Sequence, residues 1–323
     1  MIGLVIGAPL AIGCLVALGL AVAWVVRPVR TEASVSASAA WRTAVTHADR
    51  VSAAAWVALL VVALVCGATR APASLVHLAG GRALVTGVAL AVSPSVAGLA
   101  FLVVHGAGEL TWPRPAGPIR RAVLARRPVR ELVPVGPAVA LAGWVLALAV
   151  LLVACGATSP DGRSVRVSLG SGVESHTGPY PGGYYGIPIA VAMVLLLAAT
   201  AGVLRLVAAR PSVSDTDPDA DTALRRTSVA RVLGGVQLVA ALTFAGCLAA
   251  AAAALRNGAG GFLGANVPGM PAELVVSQLV RAATAGLVVA PAVVVVAIVV
   301  AVLSGRRRTS RRDAAAGRTP VTA

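Results

Sequence analysis

Apolar residues along this chain come in long blocks, and polar residues gather in the short stretches between them. The blocks cover about 3–26, 51–68, 83–105, 135–156, 187–208, 232–255 and 282–304. A helix of roughly 20 apolar residues crosses the ~30 Å hydrocarbon core of a bilayer, and each block is near or above that length. The pattern predicts an all-α fold, a polytopic transmembrane helix bundle over 1–304 with about seven spans. The remaining 305–323 reads as a basic, disordered tail. "MIGLVIGAPLAIG" has neither the basic start nor the small-residue cleavage site of a secretory signal, so the first block is expected to be a span. One polar stretch has a different period. Ser164, Val165, Arg166, Val167, Ser168 and Leu169 alternate in the loop 157–186, which suits a short hairpin strand.

Composition agrees with the pattern. Hydrophobic residues make up 58% of the 323, charged residues 12%, and the mean hydropathy is +0.88. That balance excludes an ordinary soluble domain. The formal net charge is +15, but it is scattered over short connections. No compact basic domain is present to grip a duplex, so no nucleic acid is expected as a partner.

The basic residues fix an orientation. All 27 are arginines. With the N-terminus outside, the segments 27–50, 106–134, 209–231 and 305–323 are cytoplasmic and hold 20 of them, against 6 on the outer side. Arg205 sits at an inner boundary. An excess of this sign is what the positive-inside rule requires, and it places the C-terminal tail in the cytoplasm.

The densest inner stretch is "GELTWPRPAGPIRRAVLARRPVRELVP", Gly108 to Pro134. Arg114, Arg120, Arg121, Arg126, Arg127 and Arg130 face an anionic inner leaflet in this reading, each gaining on the order of 1 kcal/mol from its surface potential. Trp112 opens the loop, where an amphipathic ring suits the headgroup level. Prolines 113, 115 and 118 stop the third span, and "IRRAVLARR" can lie flat on the membrane as a short helix. Topological anchoring is the plainer reading of this loop. Docking of a cytoplasmic protein partner is the sharper one. On the outer side, "PYPGGYYGIP" carries Tyr180, Tyr184 and Tyr185, which read as an interfacial aromatic belt on a tight turn, with a ligand lid as the alternative.

Chemistry is sparse. There is no HExxH and no Walker A run. The histidines 47, 77, 105 and 176 fall in different segments, so no metal site and no cofactor are expected. Gly170-Ser171-Gly172 lacks the preceding glycine of a nucleophile turn. Asp215, Asp217, Asp219 and Asp221 alternate like the start of a calcium loop, but Ala220 and Arg226 stand where the glycine and bidentate glutamate belong. A local role is favoured instead, with Asp221 or Thr222 capping a helix through Ala223 to Val232. No Asp, Glu or Lys falls in the middle of a span, which argues against a proton-coupled carrier. Glu109 and His105 stand near an inner helix end, and a loop arginine is the expected partner of the glutamate. Cys66 and Cys155 lie near outer ends of spans, where a disulfide and simple apolar filling are both open. Pro94 and Pro291 interrupt two spans, and Ser93 and Ser95 stand ready to offset the first. "WVALLVVALVCGAT" and "WVLALAVLLVACGAT" suggest a weak internal repeat.

The arginine loop, the "YPGGYYGIP" turn and "ALRRTSVARVL" resemble segments of uncharacterised multi-pass integral membrane proteins of actinobacteria, streptomycetes among them. The most specific pieces are Trp112-Pro113-Arg114-Pro115 and Tyr184-Tyr185-Gly186. The resemblance implies a multi-pass protein of the bacterial cell membrane and carries over no catalytic residue. The expected function is therefore non-enzymatic, as a scaffold or regulatory membrane component. The alternative is a permease-like subunit that works with a separate ATPase.

Overall fold

The computed structural model describes residues 39–68, 80–113, 129–168, 174–213, 218–260 and 273–305. Its elements are α1 (Ala39–Ala68), α2 (Gly80–Leu110), α3 (Val129–Leu132), α4 (Val135–Thr158), β1 (Val165–Ser168), β2 (Glu174–Thr177), α5 (Gly183–Ala209), α6 (Pro218–Gly260) and α7 (Glu273–Gly305). Six of the described helices, all but α3, are long and apolar enough to cross a membrane. They correspond to the second to seventh apolar blocks. The first block, 3–26, lies outside the described residues, as does the tail beyond Gly305.

The helices overrun the apolar blocks. The second block was expected to begin at 51, yet α1 starts at Ala39 and carries Arg42, His47, Asp49 and Arg50 in its first turns. The correction is larger at α6. The capped helix expected from Ala223 and the span from 232 are one continuous helix of 43 residues. Pro218 opens it, where a missing N–H costs nothing. Asp221 is not its cap but lies one turn inside, paired with Arg225. Nothing between them and Gly234 breaks the helix, so hydrogen bonding propagates into the apolar run. At ~1.5 Å per residue α6 is about 65 Å long, twice the hydrocarbon thickness.

α6 is also the centre of the bundle. It packs against α1, α2, α3, α4, α5, α7 and both strands. Of its apolar window 56% is buried, against 11% for α4, so α6 forms the core and α4 an edge. Val229, Val232, Val236 and Ala240 are fully enclosed. At Gly235 the Phe101 ring occupies the space a Cβ would need, which lets α2 and α6 approach closely. Pro94 in α2 frees the Leu90 carbonyl, and the Ser93 hydroxyl donates to it at 2.7 Å. Ser93 thus makes the compensation anticipated for the flanking serines, while Ser95 is buried without a partner among the described residues.

Successive long helices alternate in direction. One end of the bundle gathers the starts of α1, α4 and α6 with the ends of α2, α5 and α7. The opposite end carries the hairpin. β1 and β2 pair antiparallel, with Val165 opposite Thr177 and Ser168 opposite Glu174. Val165 and Val167 point inward and Arg166 outward, as the alternation requires. Thr177 Oγ1 donates to the Ala254 carbonyl at 2.8 Å and so seats the hairpin on α6. The turn before β1 is held by Asp161, whose Oδ1 accepts the N–H groups of Arg163 and Ser164. Gly162, between Asp161 and Arg163, takes φ +72°, a conformation that favours glycine.

Candidate functional site: a buried ion-paired cluster

The end that gathers the arginines also holds the charged interior of the protein. Three ion pairs lie there. Arg210 follows the last residue of α5 and points its Nη1 at both carboxylate oxygens of Glu109 on α2, each at 3.4 Å. The side chains are 0% and 6% exposed. Arg225 Nε donates to Asp221 Oδ2 at 2.9 Å one turn earlier on α6, also buried. Arg231 Nη1 donates to Asp49 Oδ1 of α1 at 2.9 Å. Three acids and three arginines leave the cluster formally neutral, as burial of charge demands.

Other donors of this end go to backbone carbonyls. Arg225 Nη1 donates to the carbonyls of Val207 and Ala208 at 3.1 and 3.0 Å. These are orphan acceptors of the last turn of α5, where a cation is favoured by the helix dipole. His47 on α1 donates from Nε2 to the Gly108 carbonyl of α2 at 2.9 Å. Arg226 Nε donates to the Glu131 carbonyl at 3.3 Å and ties α3 to α6. Arg210 also lies over the Trp112 ring, 3.9 Å from its centroid, and His47 meets the same ring edge-on. α1, α2, α5 and α6 are thereby joined through side chains that sequence distance hides.

Between them is a small void lined by His47, Val51, His105, Glu109, Ser228 and Arg231, among others. Its volume for the centre of a water-sized sphere is about 10 Å³, the room that one buried water needs. His105 is 4% exposed. It packs edge-on against Phe101, and its Nε2 has no partner among the described residues. Burial pushes the Arg210 guanidinium below its ordinary value, while Glu109 acts in the opposite direction. Arginine starts so high that it remains charged. Among the described residues no group of three metal-ligating side chains converges.

The residues singled out in the sequence are distributed as follows. Trp112 is buried, at 6% exposure, so the ring expected at the headgroup level serves instead as the platform for Arg210. Arg130 lies exposed on α3. Arg114, Arg120, Arg121, Arg126 and Arg127 are outside the described residues, as is the flat helix expected there. Tyr180 is buried, and its hydroxyl meets Thr158 Oγ1 at 2.8 Å. Desolvation pushes this phenol up to about 12. Tyr185 is buried against Gly87. Only Tyr184 is partly open, beneath the Arg163 guanidinium at 4.6 Å. Two of the three tyrosines expected in an interfacial belt are thus packing residues. Glu109 has its arginine, though it is Arg210 after α5 rather than one from its own loop. Cys66 and Cys155 are not joined by a disulfide.

Sequence reasoning missed Asp49, Arg210, Asp221, Arg225 and Arg231 as a group. Their signal was available only in part, in the i, i+4 spacing of Asp221 and Arg225. At mid-depth Gln237 forms a clasp between helices. Gln237 is fully buried. Its Oε1 accepts from Trp144 Nε1 at 3.1 Å, and its Nε2 donates to the Ala297 carbonyl at 2.7 Å. The amide thus joins α4, α6 and α7.

Comparison with known proteins finds no family model that matches the chain and no similar curated protein or solved structure.

Proposed function

We propose that this is a seven-span integral protein of a bacterial cell membrane, with its arginine-rich end in the cytoplasm. It has no enzymatic activity of its own and acts as a scaffold or regulatory component through that end. One observation carries the reading. Ion pairs at the arginine-rich end tie four helices together, and the void among them has room for one water. Arg42, Arg50, Arg130, Arg205 and Arg226 remain exposed. Such a surface suits lipid phosphate and acidic partner segments, whereas a carrier needs a path for its cargo.

The test labels cysteines from one side of sealed membranes with an impermeant thiol reagent, in a background without native cysteines. Arg50→Cys reacts from the cytoplasmic side only, and Val51→Cys, which lines the void, reacts from neither. Labelling of Val51→Cys in intact membranes would sink the scaffold reading in favour of the permease-like subunit. Mass spectrometry of native-membrane nanodiscs supplies the second arm. A protein recurs with the chain and is lost when Arg120, Arg121, Arg126 and Arg127 are neutralised together. Recovery of lipid alone contradicts a partner at that loop.

A further inference from the structure

The void at the ion-paired end is walled by helices that come from distant parts of the chain. α1 supplies His47 and Val51, α2 supplies His105 and Glu109, and α6 supplies Ser228 and Arg231. One polar atom of this wall is unserved. His105 is 4% exposed, and its Nε2 has no partner among the described residues. The Phe101 ring packs against it at 4.6 Å between centroids and offers it no hydrogen bond acceptor of ordinary strength. A buried polar nitrogen left in that state costs free energy, and folded proteins rarely leave one so.

Its neighbours on the same wall have bonding capacity to spare. Glu109 follows His105 by four residues, so the two side chains share one face of α2. The bonds that the Glu109 carboxylate accepts from Arg210 are both 3.4 Å long. A full charge-assisted bond is ~2.7–2.9 Å, and a carboxylate has about four lone-pair sites to fill. The Ser228 hydroxyl donates to the Leu224 carbonyl at 3.2 Å and accepts from Arg210 at 3.3 Å, which leaves it a second lone pair.

Size and charge select the occupant. A volume of about 10 Å³ admits one molecule as small as water. Glu109 and Arg231 stand on the same wall with opposite signs. An anion there meets the carboxylate and a cation meets the guanidinium, and either ion must also give up its hydration. A neutral molecule that both donates and accepts avoids these costs. Water has that size and that chemistry. It serves either tautomer of His105, because it can donate to a bare ring nitrogen or accept from a protonated one.

We infer that the void is a binding site for one structural water, bonded to His105 Nε2 and to the Glu109 carboxylate, with the Ser228 hydroxyl as its third partner. The water ties His105 to Glu109 and so to Arg210. It thereby carries the polar network of the arginine-rich end one turn deeper into α2. This goes beyond the scaffold reading, which needs only that the void be too small for a cargo. That reading falls on labelling at Val51→Cys, and this inference falls on water contact at His105, so the two fail separately.

The test uses the full chain in lipid bilayers with its histidines labelled with nitrogen-15. Magic-angle-spinning NMR reads the transfer of magnetisation from water protons to the ring nitrogens. His176, with a side chain 47% exposed, is the positive control. The His105 signal is assigned by its loss in His105→Phe and, independently of that variant, by its contact with the Phe101 ring. Val51→Ile and Ala48→Val each add bulk to a different position of the wall, and an unchanged His176 signal shows that the fold is kept. The expected result is water transfer to both His105 and His176, with the His105 transfer lost when either variant fills the void. Transfer to His176 alone, with the His105 resonance resolved, means a dry void and overturns the inference. Transfer to His105 that survives in both filled variants places the water elsewhere and overturns it as well.

Discussion

The most exacting prediction concerns Arg210→Met. The guanidinium serves both carboxylate oxygens of Glu109, the hydroxyl of Ser228 and the face of Trp112. Methionine keeps most of the apolar stem and removes the charge. Glu109, with a side chain 6% exposed, then loses the cation it faces. Removing one partner of a buried pair costs about 3–5 kcal/mol. A desolvated cation–π contact alone is worth ~2 kcal/mol, and the same substitution removes both, so the loss belongs in the upper part of that range. Total stability of a domain is only about 5–15 kcal/mol, which makes the change large. The assay is reversible unfolding in mixed micelles with increasing denaturing detergent, followed by helix circular dichroism. The double variant Glu109→Gln, Arg210→Met removes the stranded charge and should recover about half of the loss. Two outcomes refute the reasoning. Either Arg210→Met stays within ~0.5 kcal/mol of the parent, or the double variant is no better than the single.

Two further expectations follow from the geometry. Gln237→Leu removes the acceptor of Trp144 Nε1 and the bond to Ala297. Interhelical hydrogen bonds in membranes average ~0.6 kcal/mol, and a stranded buried donor adds ~1–3 kcal/mol, so a loss of about 2 kcal/mol is expected in the same unfolding assay. A Trp144→Phe, Gln237→Leu cycle that shows no coupling would remove the clasp from the account. At the hairpin, the N–H groups of Arg163 and Ser164 hold the Asp161 carboxyl at about 2, below its ordinary 3.8. The ionised form favours the fold, so its contribution is complete above the ordinary value and is lost as pH falls through about 2. The Ser164 amide resonance should titrate with that low midpoint, and a midpoint at the ordinary value would show that the turn is not held this way.

How much of this was legible in the sequence can be seen element by element. The apolar blocks from 51 to 304 all became helices, because the bilayer sets a length that composition alone reveals. The β1 strand was legible for a similar reason, since a period of two places Val165 and Val167 on one face. Helix ends were not. Asp49 and Arg50 look like loop residues by polarity, yet hydrogen bonding continued through them because nothing in that stretch breaks a helix. Trp112 and Tyr180 were read as interfacial for being amphipathic aromatics. Both turned inward, because Arg210 and Thr158 supply partners that only the packed bundle brings near.

The sequence by itself determined that this is a chain of apolar helices with its positive charge gathered on alternate connections. Those properties are local sums over neighbouring residues and need no knowledge of what packs where. Only the tertiary structure decided which charges are paired. Glu109 and Arg210 are 101 positions apart, and Asp49 and Arg231 are 182 apart. Their meeting depends on how α1, α2 and α5 dock around α6. That docking is set by close approach at positions such as Gly235 and by the cost of leaving any buried charge alone, and neither is written in the spacing of residues along the chain.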